Sequence, residues 1–197
     1  MRILVFNGSA RKMGFTEKML NFFLAKIEGT VDIIHAYDLK ISPCKDCRYC
    51  WHKRGCSEKD EMQEIYEKID AADLIVFASP VYFHSITGPL KVLIDRLQVY
   101  WAGVLRDDKD GEKEKLGAFL LCGGAPAFPN QFLGAEIVLS GVLGDLRAEC
   151  VGQVRIANTD KAVFEEDIPA LLDIECLAEK IRRIHNLKVD SRQDRKG

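Results

Sequence analysis

Five short runs rich in apolar residues recur along the chain, each followed by a loop and then by a helical pattern. They are residues 2–7, 31–37, 74–80, 116–124 and 149–157. Runs of this length and apolar content are typical of strands that are buried on both faces. Their alternation with amphipathic helices predicts an α/β fold, a doubly wound five-stranded parallel sheet with helices on both sides.

The length of 197 residues suits a single domain. We expect that domain to span residues 1–187, with a mobile tail over 188–197 because the tail has nothing apolar to bury. Between the strands, the spacing predicts one continuous helix that starts near Pro89 and reaches about Trp101. A last amphipathic helix is predicted over residues 168–186.

Charge and apolar patterning exclude several classes of protein. The net charge of −2 argues against general nucleic-acid binding. The N-terminus turns polar after six residues, and no apolar run approaches the roughly 20 residues that cross a bilayer. An odd count of seven cysteines does not suit a secreted disulfide framework. We therefore expect a cytoplasmic protein that binds neither membranes nor nucleic acid.

Four cysteines fall close together after the second strand, in a segment covering residues 43–59. They are spaced C-x2-C-x2-C-x5-C, at Cys44, Cys47, Cys50 and Cys56. Several soft thiolates at this spacing favour an iron–sulfur cluster. Three alternatives remain at this level: a zinc site, although zinc sites usually separate two C-x2-C pairs by a longer loop; a redox-active cysteine pair; and a loop that no longer binds metal.

Ligands of doubly wound sheets bind at the carboxyl ends of the strands, where the first loop runs from Gly8 to Thr16. Hydroxyls of Ser9 and Thr16, the charge of Arg11 and amides released by Gly14 suit a phosphate monoester at a helix N-terminus. The loop matches neither the G-x-G-x-x-G pattern nor a P-loop, which disfavours a dinucleotide or a nucleoside triphosphate. The alternative is an ordinary turn in which Thr16 caps the helix.

The second loop follows the third strand. Pro80 begins a rigid turn that carries Tyr82 and Phe83, two aromatic rings that suit the wall of a flat ligand. The alternative places both rings in the core or in a subunit interface. His84 is interpreted as polar surface and is given no catalytic role.

The third loop follows the fourth strand. Gly123 and Gly124 allow backbone to approach a ligand, and their amides are expected to face a ring edge. Cys122 is interpreted as a small buried residue. Together the three loops predict a pocket with a phosphate at one side and a flat ring at the other, a description that flavin mononucleotide (FMN) fits.

Four stretches carry a resemblance to a known family: GSARKMGFT, PCKDCRYCWHKRGC, DEM and ADLIVFASPVYFHSITGPLKVLIDR. They resemble the iron–sulfur flavoproteins, which belong with the NADPH-dependent FMN reductase-like group of flavodoxin-fold proteins. The distinctive motifs cover roughly residues 1–125. The resemblance implies a flavodoxin-like sheet with the cysteine-rich loop inserted after strand two.

The resemblance also implies a set of ligand-binding residues. The FMN phosphate would be held by Ser9, Arg11, Gly14, Phe15 and Thr16, where Phe15 replaces a frequent Asn of the family and leaves only a backbone contact. The isoalloxazine would lie beside Pro80, Val81, Tyr82 and Phe83, with Gly123 and Gly124 opposite. A [4Fe–4S] cluster would be bound by Cys44, Cys47, Cys50 and Cys56.

The function expected from these features is an FMN-dependent oxidoreductase that passes electrons between a [4Fe–4S] cluster and FMN. Its redox partner would be NAD(P)H or a ferredoxin, with a small-molecule acceptor, and the resemblance favours a homodimer or homotetramer. One alternative is an NAD(P)H-dependent FMN, quinone or azo reductase without a cluster. An alternative of another class is a zinc-stabilised interaction module.

Overall fold

The computed structural model describes residues 1–108 and 114–194, and the side chains of these residues except those of 190–194. The strands are Arg2–Asn7 (β1), Thr30–His35 (β2), Leu74–Pro80 (β3), Lys115–Cys122 (β4) and Ala148–Ile156 (β5). The helices are Phe15–Leu24 (α1), Tyr49–His52 (α2), Met62–Ala71 (α3), Gly88–Asp95 (α4), Gln98–Leu105 (α5), Leu133–Asp145 (α6) and Ile168–Asp194 (α7).

The sheet has the predicted flavodoxin-like topology. Five parallel strands lie in the order β2-β1-β3-β4-β5. The winding direction reverses between β1 and β3, so their carboxyl ends diverge into loops on opposite faces and leave a crevice there. The predicted fold class is confirmed, and the four clustered cysteines lie in the long connection between β2 and α3.

Each face of the sheet has its own hydrophobic core, because side chains alternate along buried strands. Leu4 and Phe6 of β1 pack toward the side of α3, α4 and α6. Ile3 and Val5 pack toward α1 and α7. Across neighbouring strands Phe6 stacks on Phe77, with ring centroids 5.0 Å apart. Burial on both faces explains why these strands are continuous apolar runs in the sequence.

The helix predicted from Pro89 to Trp101 is wrong as one element, since α4 ends at Asp95 and α5 begins at Gln98. The break has a tertiary cause. The hydroxyl of Tyr66 in α3 donates to the carbonyl of Arg96 at 2.9 Å, and the amide of Tyr100 bonds to the Leu97 carbonyl instead. The Arg96 carbonyl thus faces Tyr66 and not the amide four residues further on, and the α-helical bonding pattern is interrupted at Arg96.

The last helix is longer than predicted. It continues to Asp194, through most of the segment assigned to a tail, and residues 195–197 lie outside the described part of the chain. Lys188 holds it by ion pairs to Glu149 at 3.0 Å and to Glu114 at 3.3 Å. Neither α7 nor any other helix within the described residues combines the length and apolar character needed to cross a membrane.

Candidate functional site

The loop between β1 and α1 is held by a buried asparagine. The Asn7 side-chain oxygen accepts the amide of Ser9 at 2.8 Å, and its nitrogen donates to Glu17 at 2.6 Å. The Ser9 hydroxyl then accepts the amide of Arg11 at 3.1 Å. No side chain caps α1 after Gly14, so its first-turn amides face the loop without a side-chain acceptor. Asn7 was missed because a buried strand end carries no local signal of this role.

Gly8 joins this loop to the one after β3. Its carbonyl accepts the Thr87 hydroxyl at 2.8 Å, and its amide donates to the Ala78 carbonyl at 2.8 Å. A Cβ atom at position 8 would lie 2.8 Å from Leu90 Cδ2 and 2.9 Å from Ser79 Oγ. The close approach of two chain segments therefore requires glycine here.

The loop after β3 forms a tight turn in which Tyr82 and Ser85 exchange backbone hydrogen bonds of 2.9 and 3.0 Å. Phe83 and His84 at its tip both adopt positive φ, 48° and 64°, as type I′ turns require. The turn leaves Phe83 fully exposed and Tyr82 47% exposed. The alternative that these rings belong to the core of the chain is therefore wrong, and they line the carboxyl edge as aromatic surface.

The loops after β1 and β4 meet at Thr16 and Cys122. The Thr16 hydroxyl lies 3.1 Å from Cys122 Sγ and is buried, so Thr16 does not cap the helix as the alternative interpretation held. Burial raises the pKa of the Cys122 thiol to about 11, while the Thr16 contact and the charge of Arg11 act to lower that pKa. The burial expected for Cys122 is confirmed.

The two glycines after β4 are needed for packing. The Gly123 amide donates to the Ile156 carbonyl at 2.8 Å, so the expectation that this amide faces a ring edge is wrong. A Cβ atom would lie 2.6 Å from Gln131 Nε2 at position 123 and 2.5 Å from Asp160 at position 124. The glycines thus let loops from β4, β5 and α6 close together. We call residues 8–14, 81–87 and 123–131 the three-loop edge.

The four clustered cysteines line one cavity of 380 Å³. Cys44 and Cys47 are exposed, whereas Cys50 and Cys56 are half-buried. The same cavity is bordered by Arg96, at the α4–α5 break, together with aromatic residues of α2 and α5. We call residues 43–59 the cysteine segment.

The thiols of the cysteine segment differ in their electrostatic surroundings. A contact of 3.3 Å with the Ser57 hydroxyl holds the pKa of Cys47 below its ordinary value. Burial raises the pKa of Cys50, and the like charges of Cys44, Cys56 and Cys47 raise it further. All four side chains border the same cavity, so each thiol affects the charge environment of the others.

The donor set suits a thiolate-bound metal, but the side chains are not gathered around one point. Within residues 1–108 and 114–194, no three His, Cys, Asp or Glu side chains are arranged so that they could hold a metal ion. The chemistry of four thiols on one cavity fits an iron–sulfur cluster or zinc. Binding either group would require the segment to draw its thiols inward.

A buried ion pair closes the base of the cysteine segment. Arg96 donates to both carboxylate oxygens of Asp60, at 2.6 and 3.0 Å, and to the Ser42 carbonyl at 2.8 Å. Burial would raise the pKa of Asp60, yet the hydrogen bonds from Arg96 and Ser42 hold that pKa below its usual range. Sequence reasoning missed both roles, although Asp60 opens the DEM motif and Arg96 ends the longest shared stretch.

The helical turn α2, which carries Cys50, docks on α5. Trp51 packs edge-to-face on Trp101, with ring centroids 5.6 Å apart, and Arg48 lies 4.9 Å over the Trp51 ring. Arg106 of the chain following α5 donates to the Cys50 carbonyl. The cysteine segment is therefore held by side-chain contacts to α3, α4 and α5 and contributes no strand to the sheet.

The fold is flavodoxin-like, with the three-loop edge at the topological switch point of the sheet and a separate cavity lined by the four clustered cysteines. A family model described as NADPH-dependent FMN reductase matches residues 1–153. The chain belongs to this family.

The relatives bear out the resemblance noted from the sequence. An iron–sulfur flavoprotein of Methanosarcina thermophila is 38% identical over 128 residues, which cover 64% of each chain. One of Archaeoglobus fulgidus is 37% identical over 108 residues, covering 54% of this chain and 53% of that protein. The chain thus spans about half to two thirds of the length of the curated relatives it matches.

Among solved structures, an NAD(P)H:quinone oxidoreductase from Methanothermobacter marburgensis superposes with a TM-score of 0.73. It covers 92% of this chain and 96% of its own, at 14% identity. A likeness at this identity supports the fold, and it agrees with the sheet order described above.

Proposed function

We propose that the chain is an FMN-dependent oxidoreductase that binds FMN at the three-loop edge. The observation that carries this proposal is that the loop before an uncapped helix N-terminus is hydrogen-bonded, at Gly8 and Thr87, to the loop that carries two exposed aromatic rings. Membership in the NADPH-dependent FMN reductase family supports it.

The roles of the residues follow from their positions. The first-turn amides of α1 and the exposed Arg11 suit the phosphate, with Ser9, Gly14, Phe15 and Thr16 shaping the loop around it. The wall for the ring is supplied by the turn after β3, at Pro80, Val81, Tyr82 and Phe83. The opposite loop is kept close by Gly123 and Gly124. When bound, FMN supplies one- and two-electron chemistry.

We further propose that Cys44, Cys47, Cys50 and Cys56 bind a [4Fe–4S] cluster, which supplies one-electron transfer. The support is the shared thiol-lined cavity and the names of the relatives. The redox partner would be NAD(P)H or a ferredoxin, with a small-molecule acceptor. All seven cysteines are free thiols, which suits a reducing compartment such as the cytoplasm, and Tyr82 and Phe83 offer aromatic surface for a homodimer or homotetramer.

A second candidate is an NAD(P)H-dependent FMN, quinone or azo reductase without a cluster. It is favoured by the separation of the thiols, since no metal-holding group forms within the described residues. In that case the cysteine segment would be a structural loop, and Tyr82 would border the place where nicotinamide is admitted to FMN; a bound nicotinamide would supply hydride chemistry there. A zinc-bound segment that docks a partner is the third outcome.

Iron, zinc and flavin analysis of anaerobically purified protein tests all three candidates. The expected result is about one FMN and about four iron atoms per chain, with no zinc. Flavin without iron or zinc would select the second candidate, and zinc without flavin would select the interaction module. Protein with neither flavin nor metal would overturn the proposal.

A further inference from the structure

Arg96 is the one charged side chain in the described residues that is fully buried beside the cysteine cavity. Its exposed fraction is 1%. Its two terminal nitrogens make three hydrogen bonds, two to the Asp60 carboxylate and one to the Ser42 carbonyl. A buried guanidinium needs such partners, because the desolvation of an uncompensated charge costs roughly several kcal/mol.

The third nitrogen of Arg96 has no such partner. Nε is buried, and no acceptor for it exists among the described residues. Leaving a buried donor unsatisfied costs about 1–3 kcal/mol, so native proteins rarely do so without a reason. At this site the missing acceptor would be supplied by a bound ligand, or by a cysteine sulfur that moves inward when a ligand binds.

The cavity beside Arg96 supplies acceptors of the right kind. Arg96 borders it together with all four clustered cysteines. Thiolates and sulfide accept hydrogen bonds and carry negative charge. The exposed cations of the cysteine segment are screened by water, whereas the charge of Arg96 is not.

We propose that Arg96 is a positioning residue of the cysteine site. Its Nε–H donates to sulfur, and its buried charge offsets the charge of the thiolates and of the metal group they hold. Asp60 fixes the guanidinium and also weakens its field, because its own charge opposes that of Arg96. The proposal deepens the proposed [4Fe–4S] function and rests on it where the bound group is a cluster, but it applies to any thiolate-bound metal.

The test uses the full chain with FMN bound and iron removed, titrated with Co²⁺, whose thiolate complexes absorb strongly. Arg96→Gln should weaken Co²⁺ binding about tenfold, the size of effect common for residues that support metal ligands. Asp60→Asn should strengthen it several-fold, because the guanidinium keeps its charge and loses its counter-ion. In iron-loaded protein the midpoint potential should fall in Arg96→Gln and rise in Asp60→Asn, since positive charge favours the reduced state.

The opposite signs separate this role from a merely structural one. If Arg96 and Asp60 only closed the base of the segment, both variants would weaken Co²⁺ binding alike, and that result would overturn the proposal. Arg96→Lys keeps the charge but lacks Nε, so it should recover part of the lost affinity, and equal loss in the Lys and Gln variants would also count against the proposal. Lys53→Gln, which removes an exposed charge of the same segment, should change the affinity less than about twofold.

Folding and function are controlled separately. Retained FMN and an unchanged circular dichroism spectrum identify variants with a native sheet. If Arg96→Gln does not fold, Asp60→Asn/Arg96→Gln replaces it, because the pair is then neutral. Its affinity should still lie below that of the wild type, since the Nε–H donor is lost, and an affinity equal to that of the wild type would overturn the proposal. A second outcome is a protein that contains no iron when isolated and yet shows weaker Co²⁺ binding in Arg96→Gln and stronger Co²⁺ binding in Asp60→Asn. That result would overturn the proposed cluster function and support the role of Arg96. A wild type that binds neither Co²⁺ nor iron would overturn both.

Discussion

The three-loop edge and the cysteine segment are built by different forces. At the edge, backbone hydrogen bonds and glycine contacts bring loops together, as at Gly8, where two segments approach within van der Waals distance. The cysteine segment is held by charged side chains: Arg96 on Asp60, Lys45 on Glu58 at 2.8 Å, and Arg106 on the Cys50 carbonyl.

The difference predicts how each region responds to change. Steric packing fixes the edge in one geometry and makes it insensitive to salt. Contacts between side chains leave the cysteine segment freer to move, and the separated thiols agree with a site that gathers only around a bound group. A substitution that disrupts one of these two regions should therefore leave the structure of the other largely unchanged.

The largest effect is expected from Gly8→Val. A side chain at position 8 meets Leu90, Ser79 and Thr87 at 2.8–3.1 Å, so two loops must separate. We expect loss of FMN binding and a destabilisation of about 2–3 kcal/mol by urea unfolding. Gly141→Ala in α6, where a Cβ atom meets nothing within 4 Å, should be neutral or stabilising. Full FMN binding by the valine variant would show that the edge is not fixed by packing.

Cys50→Ala breaks the cysteine segment alone. The variant removes one of four thiols on the cavity, so iron content should fall to near zero while FMN stays at the wild-type level. Metal analysis and flavin absorbance measure both. The control is Cys176→Ala, an exposed cysteine on α7, which should keep both cofactors. Loss of FMN with the iron would mean that the two regions are coupled.

Arg11→Ala is the converse change at the edge. Removal of a charge beside the N-terminus of α1 should weaken FMN binding about tenfold or more, because charge-assisted hydrogen bonds to phosphate are strong. Fluorescence quenching of added FMN gives the Kd. Lys12→Ala, the neighbouring exposed cation, should change the Kd little, and equal effects of both substitutions would point to non-specific attraction.

Cys122 makes the edge sensitive to alkali. Its folded pKa is raised to about 11 from an ordinary value of 9.0, so the unfolded chain releases this proton first as pH rises. Stability should therefore fall between about pH 9 and 11, by about 1 kcal/mol per pH unit from this residue. Urea unfolding of flavin-free Cys122→Ala should lose that part of the slope, and Cys176→Ala should keep it. Identical slopes in the wild type and Cys122→Ala would contradict a buried neutral thiol.

The smallest global effect is expected from Trp51→Ala. The variant loses the contact with Trp101 and the cover of Arg48, worth about 1 kcal/mol of docking energy. Hydrogen exchange and proteolysis within 43–59 should speed up, while the unfolding midpoint and FMN binding stay close to those of the wild type. Val104→Ala on the exposed side of α5 serves as the control. A large fall in the unfolding midpoint would show that the segment supports the whole sheet.

The sheet could be predicted from the sequence because the pattern that indicates a buried strand is local. Strand β3 was predicted with its observed bounds, since a run buried on both faces is apolar throughout. The break between α4 and α5 could not be found this way, because it depends on a hydroxyl of α3. The same holds for the contact of Thr16 with Cys122, which joins residues 106 positions apart.

At the candidate site, residue types were easier to predict than their contacts. The exposed aromatics of the β3 loop follow from its turn sequence, whereas the packing of Gly123 against Gln131 follows from the position of α6. In the sequence, Asp60 and Arg96 stood out only as members of the motifs that carry the family resemblance. Their pairing needs the three-dimensional path of the chain, because 36 residues separate them.

Helix α4 sets the distance between the three-loop edge and the cysteine segment. Its N-terminal side begins at Thr87, which bonds to the edge at Gly8, and its C-terminal side ends against Arg96, which holds the cysteine segment. A helical rise of 1.5 Å per residue places these anchors about 13 Å apart. The helix is thus a rigid spacer, and inserting one residue into it would turn Arg96 about 100° away from the thiols while leaving Thr87 in register.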